Sequence, residues 1–428
     1  GLGAVAGVGS HRAKAPWAAY PTGKNPINSY IPVARVADML ECPGAAYQYD
    51  GMTRTYPDIR MAYWVGGNPF HHHQDLNRLR RVWKNLETVI VHEPFWTPLA
   101  RHADIVLPAT VALERNDLGA SPRDDYLIAM RQAATPHGLA NNDHNIFAAL
   151  SERLHCASEH NGNFAEAFTE GKSEEQWLQD LYQTSASRIN KLGFEMPDYA
   201  AFVEQGFVKL TDPQRPRVLL QAFRHDPVAH PLTTPSGRIE IFSDVIASFG
   251  LNDFPGHPIW CEPTEWLGSP AVEEHPLHMI THQPARRCHS QLDHGAHSRA
   301  GKINGREPCR MNPQDAAARG IEEGSMVRIF NHRGSCVSAA QFDSGVREGV
   351  LMMATGAWYD PDWKGDENCC KHGNPNTLTQ DLPTSQIAQG PGALTCLVEV
   401  EVFAGFAPDV TAFVPPKITS LPPKTSIG

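Results

Sequence analysis

Short apolar runs alternate with amphipathic stretches over residues 61–117, and this alternation predicts parallel α/β units. Met61–Val65, Thr88–Val91 and Ile105–Leu107 read as buried strands. Leu76, Leu79, Val82 and Trp83 recur between the first two at the spacing of one helix face. Thr97-Pro98 has the chemistry of a helix start, an N-cap hydroxyl followed by a fixed φ. Tyr126–Met130 reads as a fourth strand. Asp143 opens a helix carrying Ile146, Phe147, Leu150 and Leu154, and residues 173–190 predict another around Trp177, Leu178 and Leu181.

Upstream of this block, residues 1–57 are rich in Gly and Pro, with one periodic piece from Ile31 to Leu40 that predicts a helix. Downstream, residues 205–275 read as an extended linker with one hairpin around Thr234–Glu240. From about residue 276 the pattern becomes short strands: Leu277–Ile280, Val327–Phe330, Ser335–Gln341, Gly349–Ala354 and Thr395–Val402. One short helix is marked by Asn312 as cap, Pro313 as first residue and Gly320 as stop. A small β-barrel with one or two helices is the expected fold of this part. Four regions follow: a loop-rich segment 1–57, an α/β region 58–160, a helical and extended region 161–275, and a barrel 276–428.

Composition narrows the function. The 428 residues exceed what one core usually supports. A net charge of -10 argues against a nucleic-acid or anionic-membrane surface, and no run reaches the roughly 18 apolar residues of a spanning helix. None of the nine cysteines is spaced Cys-x-x-Cys, so no zinc or iron–sulfur site is expected in this segment. The scattered, odd-numbered set favours reduced thiols, hence the cytoplasm over the periplasm. The chain opens on Gly1 with no charged-then-apolar leader, and reads as part of a longer frame.

The polar loops hold the candidate chemistry. Gly66-Gly67-Asn68-Pro69 joins strand to helix, and its glycines let backbone approach a phosphate; an ordinary tight turn serves equally. His71, His72 and His73 point about 100° apart on a helix, which disfavours a shared metal. His92-Glu93-Pro94 and Glu114-Arg115-Asn116-Asp117 follow the second and third strands, where open α/β sheets bind ligands. An acid there can accept from a ribose or a purine N–H pair, or it can simply be solvated. In the barrel, Arg286, Arg287 and His289-Ser290-Gln291 offer fixed charge and neutral donors, and the stretch from His372 to Gly390 is rich in amides and hydroxyls. Trp358 and Tyr359 nearby call for ordered packing. No Gly-x-Ser-x-Gly, His-Glu-x-x-His or Walker loop occurs, so these groups read as holding a cofactor that carries the chemistry.

These motifs taken together resemble the carboxy-terminal portion of the molybdopterin oxidoreductases, in the branch of the S- and N-oxide reductases. The resemblance runs through Tyr30–Asp38, Tyr63–Asp75, Val91–Pro94, Ala103–Pro108, Glu114–Asp117, Thr234–Gly237, His289–Gln291 and the loop from His372 to Gln389. It implies a Rossmann-like α/β region followed by a molybdopterin-dinucleotide-binding barrel. It implies the cofactor Mo-bis(molybdopterin guanine dinucleotide) and an oxygen-atom transfer from a biotin, methionine or dimethyl sulfoxide or trimethylamine N-oxide substrate. Gly67, Asn68, His72, His92, Glu93, Pro94 and Asp117 are then expected to face a nucleotide. Arg287, His289, Ser290, Gln291, Asn374, Asn376, Ser385 and Gln389 are expected to face pterin or phosphate, with Arg287 at the rim. The resemblance puts the molybdenum-ligating serine in an upstream half, so this segment alone should be inactive. It also implies an electron donor, whether a cytochrome, a quinol-linked protein or a reduced thiol protein. A formate dehydrogenase or nitrate reductase of the same superfamily, and a non-catalytic pterin-nucleotide-binding protein, stand as alternatives.

Overall fold

A computed structural model describes residues 16–27, 29–121, 125–157, 164–210, 220–392 and 394–417. The strands, in chain order, are β1 (Ala46–Tyr49), β2 (Met52–Thr55), β3 (Met61–Val65), β4 (Thr88–Glu93), β5 (Ile105–Pro108), β6 (Asp117–Ala120), β7 (Tyr126–Met130) and β8 (Phe207–Lys209). They continue with β9 (Leu277–His282), β10 (Pro308–Met311), β11 (Met326–Asn331), β12 (Gly334–Phe342), β13 (Val350–Ala354), β14 (Cys369–Cys370) and β15 (Thr395–Val402). By packing, the chain divides into one unit of residues 1–28 and 107–244 and a second of residues 29–106 and 245–428. No helix among the described residues is long and apolar enough to cross a membrane.

The second unit holds a parallel sheet and a closed barrel on one continuous core. β3 and β4 pair in parallel, Met61 against Thr88 through Val65 against His92, in the sheet order β3-β4-β5. Helix Leu76–Trp83 covers this sheet because Leu76, Leu79, Val82 and Trp83 all fall on its buried face. Its N-cap is Asp75, whose carboxylate accepts from Arg78 N at 2.9 Å. In the barrel the order β10-β13-β9-β15-β11-β12 returns to β10 through a β10–β12 pairing, which closes six strands; β14 is an addition beside β12. Closure removes free edges and buries one face of every strand. Val327, Ile329, Cys336, Leu351, Met353, Cys396 and Val398 fill the interior, continuous with Phe70, Leu79 and Val91 of the α/β part. Asn77 is buried between the two parts and fully paired: its amide donates to Arg333 O and Asn368 O, and its oxygen accepts from Tyr359.

The structure differs from the sequence reading in three places. Tyr126–Met130 forms a strand as expected, but in the first unit and outside the parallel sheet: β7 pairs antiparallel with β6 and with β8. Residues 121–125 are too few for the crossover that a parallel neighbour needs. This sheet packs on a separate core of Leu127, Tyr182, Ile189, Phe202 and Val208. Helix Glu174–Asn190 supplies two of these and opens on a capping box between Ser173 and Gln176. The hairpin expected around Thr234 does not form: Gly237 N donates to Thr234 O and closes a turn, with no strand on either side. Thr97-Pro98 starts only a single 3-10 turn, Ala100–His102.

Candidate functional site: a cavity between the sheet loops and the barrel loops

Within the second unit, the loops beyond β3 and β4 and three barrel loops enclose a cavity of about 650 Å³. Gly67, Asn68, His72 and Glu93 line it from the sheet, and His289, Ser290, Gln291 and Asn376 from the barrel. The chain turns sharply at Gly66 and Gly67, whose φ angles are +77° and +76°, and a Cβ at either would meet nothing within 4 Å. Glycine is therefore required here by backbone conformation, and open space is left beside the turn. Asn68 is the cap of the short helix Pro69–His72: its oxygen accepts from Phe70 N at 3.0 Å. That leaves its amide Nδ2 buried with no partner among the described residues, and the same holds for Nδ1 of His71, which also lines the cavity. An unpaired buried donor is costly, and a bound polar ligand would remove the cost.

Electrostatics set the character of the walls. Burial pushes the Glu93 carboxyl up to about 7, although the Thr97 hydroxyl and Phe95 N–H donate to it and pull the other way. Burial pushes His71 down to about 3, so its ring is neutral at pH 7. Apolar surface makes up most of the wall, and set into it are hydrogen-bonding groups and one acid held near neutrality. Such a wall suits an uncharged heterocycle that presents both donors and acceptors.

The remaining expected residues lie outside the wall. His92 sits behind it, 3% exposed, with a ring nitrogen 2.8 Å from the Tyr63 hydroxyl. Pro94 is an exposed loop residue. Asn374 is fully buried and used internally: its amide donates to Ala357 O and its oxygen caps the turn at Asn376 N. Ser385 accepts from Ile387 N, and the Gln389 amide donates to Gln48 O, so both fix the loop's own course. Arg287 is not at the rim. Its side chain is 3% exposed and turned inward onto Asp293 and Glu307, because two buried carboxylates outcompete solvent for a guanidinium. Asp117 belongs to the first unit, where it pairs with Arg115 at 3.2 Å. Both line a separate cavity of about 680 Å³ with Tyr20, Asn142 and Trp177.

Gln74, Thr355 and Gly356 in the wall escaped the sequence reading, and His71 and Trp358, which it noticed, were not named as cofactor-binding. A signal existed for one. Gly356 lies two residues past the end of β13 with φ at +84°, and a Cβ there would sit 2.2 Å from His289 O. A glycine just past a strand end is a mark of close backbone approach.

Comparison with known proteins gives these walls a context. Residues 39–153 match a family model described as Molybdopterin oxidoreductase, and residues 277–397 match one described as Molydopterin dinucleotide binding domain. The chain is 46% identical over 411 residues to a biotin sulfoxide reductase of Cereibacter sphaeroides, covering 96% of this chain and 53% of the relative. It is 45% identical over 396 residues to a dimethyl sulfoxide/trimethylamine N-oxide reductase of Rhodobacter capsulatus, covering 91% and 47%. It is 43% identical over 400 residues to a trimethylamine-N-oxide reductase of Haemophilus influenzae, again covering 91% and 47%. The chain thus spans about half the length of these relatives. Among solved structures, acetylene hydratase from Pelobacter acetylenicus shares the fold, with a TM-score of 0.60 at 18% identity over 81% of this chain and 45% of that one.

Proposed function

The chain belongs to the molybdopterin oxidoreductases, and from that premise we propose that it is the carboxy-terminal part of an S- or N-oxide reductase. A molybdenum–molybdopterin cofactor goes with the two matched domains; its form here is proposed to be Mo-bis(molybdopterin guanine dinucleotide). One observation carries the reading: loops far apart in sequence, at 67–72, 93, 289–291 and 376, line one cavity in which a buried amide donor, Asn68 Nδ2, and a buried ring nitrogen, His71 Nδ1, have no partner among the described residues. The residues fit the group. Asn68 Nδ2 and His71 Nδ1 have hydrogen-bonding capacity to spare, and Glu93 can accept from the N–H edge of a guanine or pterin. Ser290 and Asn376 would orient the ring system from the barrel side. Asp117, in the cavity of the first unit, would meet a guanine edge in the same chemical manner.

The bound group would supply the redox chemistry, in which a sulfoxide or a tertiary amine oxide takes up two electrons and two protons and leaves as the sulfide or the amine, with water. This chain's part is to bind, orient and exclude water. The serine that would ligate molybdenum, and the residues that would contact the oxide, are assigned to the remainder of the protein, as is the docking of the electron donor. For the compartment we favour the cytoplasm: eight cysteines among the described residues carry free thiols, and five of them are buried.

The test is direct. The full-length protein should contain molybdenum and should oxidise reduced benzyl viologen when given biotin sulfoxide, methionine sulfoxide, dimethyl sulfoxide or trimethylamine N-oxide. Molybdenum with no oxide-dependent turnover would sink the reductase reading while leaving the cofactor reading in place. The 428-residue segment on its own should show no turnover.

A further inference from the structure

Beneath the barrel wall of the cavity lies a closed ring of four buried charges. Arg287 Nη1 is 3.4 Å from Asp293 and 3.1 Å from Glu307, and Lys302 Nζ is 2.9 Å and 3.0 Å from the same two carboxylates. Each cation therefore bridges both acids. The four side chains are between 0% and 7% exposed. His372, fully buried beside them, is pushed down to about 3 by burial and donates its Nδ1 hydrogen to Trp358 O. The cluster is thus two positive charges against two negative.

Buried ion clusters of this kind add little net stability, because desolvation consumes what the pairing returns. Their directionality is another matter: besides two bonds shared with the buried Ser298 hydroxyl, the ring sends hydrogen bonds to the cavity wall. Arg287 donates to His289 O at 3.0 Å and to Thr355 O at 2.8 Å. Asp293 accepts the Trp358 N–H at 3.0 Å, and the Trp358 indole N–H donates to Ser290 O at 2.9 Å. His289, Ser290, Thr355 and Trp358 all line the cavity, whereas Asp293, Lys302 and Glu307 do not. His289 is held at a φ of +52°, a conformation that a non-glycine residue keeps only when its surroundings impose it.

We propose that the Arg287–Asp293–Lys302–Glu307 ring is the positioning device of the cofactor-facing barrel loops. It holds the backbone at 289–290 and 355–358 in the one geometry that meets the ligand. The proposal rests on the reading of this cavity as the molybdopterin site. Its members act through the wall and touch no ligand themselves. Arg287, expected from sequence to contact phosphate directly, is assigned this indirect role.

The experiment uses the full-length protein. Asp293→Asn removes one charge of the ring but keeps an oxygen for Trp358 N, and Glu307→Gln loosens Arg287 from the opposite side. Glu399→Gln is the control: it breaks a half-buried pair with Arg319, 2.7 Å apart, elsewhere on the barrel. Cofactor dissociation rate, charge-transfer absorption of the oxidised centre and the melting temperature of the cofactor-stripped protein are recorded for each. Asp293→Asn and Glu307→Gln should release cofactor about 10–100-fold faster, the scale seen when orienting partners of a bound metal group are removed, and should shift or broaden the absorption bands. Glu399→Gln should do neither at a similar loss of melting temperature. If Asp293→Asn does not fold, Arg287→Lys takes its place: it preserves the charge count and removes only the fork to His289 and Thr355. Wild-type spectra and dissociation rates in the ring variants, or losses no greater than the control's, would overturn the proposal alone. A wild-type protein that carries no molybdopterin would overturn the reading of the cavity, and this proposal with it.

Discussion

Glu93 and Asn68 show how single side chains commit this site to a ligand. Burial holds the Glu93 carboxyl at about 7 against an ordinary 4.5. The sign follows from linkage: a carboxyl raised on folding contributes stability that is full below pH 4.5 and is lost as pH rises through about 7. Without ligand, Glu93→Gln should therefore flatten the fall in melting temperature between about pH 4.5 and 8. If a guanine or pterin edge donates to this carboxylate, binding prefers the ionised form. Affinity of the cofactor-free protein for a guanine nucleotide should then rise between about pH 6 and 8, and Glu93→Gln should abolish the rise; a pH-independent affinity in the wild type would exclude Glu93 from the contact. Asn68→Ser makes a second test. Serine caps as well as asparagine, so stability should stay within about 0.5 kcal/mol. The lost Nδ2 donor should nevertheless weaken nucleotide binding about tenfold, close to the value of one hydrogen bond. Equal binding would mean that the unpaired amide meets no ligand.

At the scale of elements, one joint ties a helix of the α/β part to the barrel and another sets two barrel loops against each other. Helix Leu76–Trp83 is tied to the barrel by Asn77, fully buried with donors and acceptor all satisfied. Asn77→Ala takes the side-chain donor from Arg333 O, one of two donors from Asn368 O, and an acceptor from the Tyr359 hydroxyl, and should lower unfolding stability by about 2–4 kcal/mol in urea titration. A loss under about 1 kcal/mol would show that water replaces the amide. The other joint is Gly356. Its Cβ would press on His289 O, so Gly356→Ala should both destabilise the fold and displace the 289–291 loop. Backbone cross-peaks of residues 288–292 in an NMR spectrum should move, while those of the helix Pro313–Ala317 stay in place.

For the whole molecule, the parallel sheet and the barrel share one core, so a ligand held by loops of both draws on the stability of the entire second unit. Binding to the folded state alone raises stability by about 2.7 kcal/mol at a hundred times the dissociation constant. The cofactor-loaded full-length protein should accordingly melt well above its stripped form in calorimetry. Coincident transitions would argue that the cavity is not where the cofactor is held.

Local chemistry was enough to read much of this from the chain. The periodicity of Leu76, Leu79, Val82 and Trp83 determined a helix and its buried face, and β3, β4 and β15 begin and end close to where apolar runs meet turn residues. Gly67, Asn68, Glu93, His289 and Asn376 could be picked out from the chain, and all five line one cavity, because glycine turns, caps and amide-rich loops act over a few residues. β10 and β14 escaped because four- and two-residue strands carry no usable period. β6 escaped as well, because its four residues carry no usable period, and with it went the antiparallel pairing of Tyr126–Met130. Barrel closure through β10 and β12, the burial of Arg287 and the ring it forms with Asp293, Lys302 and Glu307 belong to the tertiary structure alone. Whether a charged side chain faces water or a carboxylate depends on what distant segments bring against it, and no local pattern encodes that.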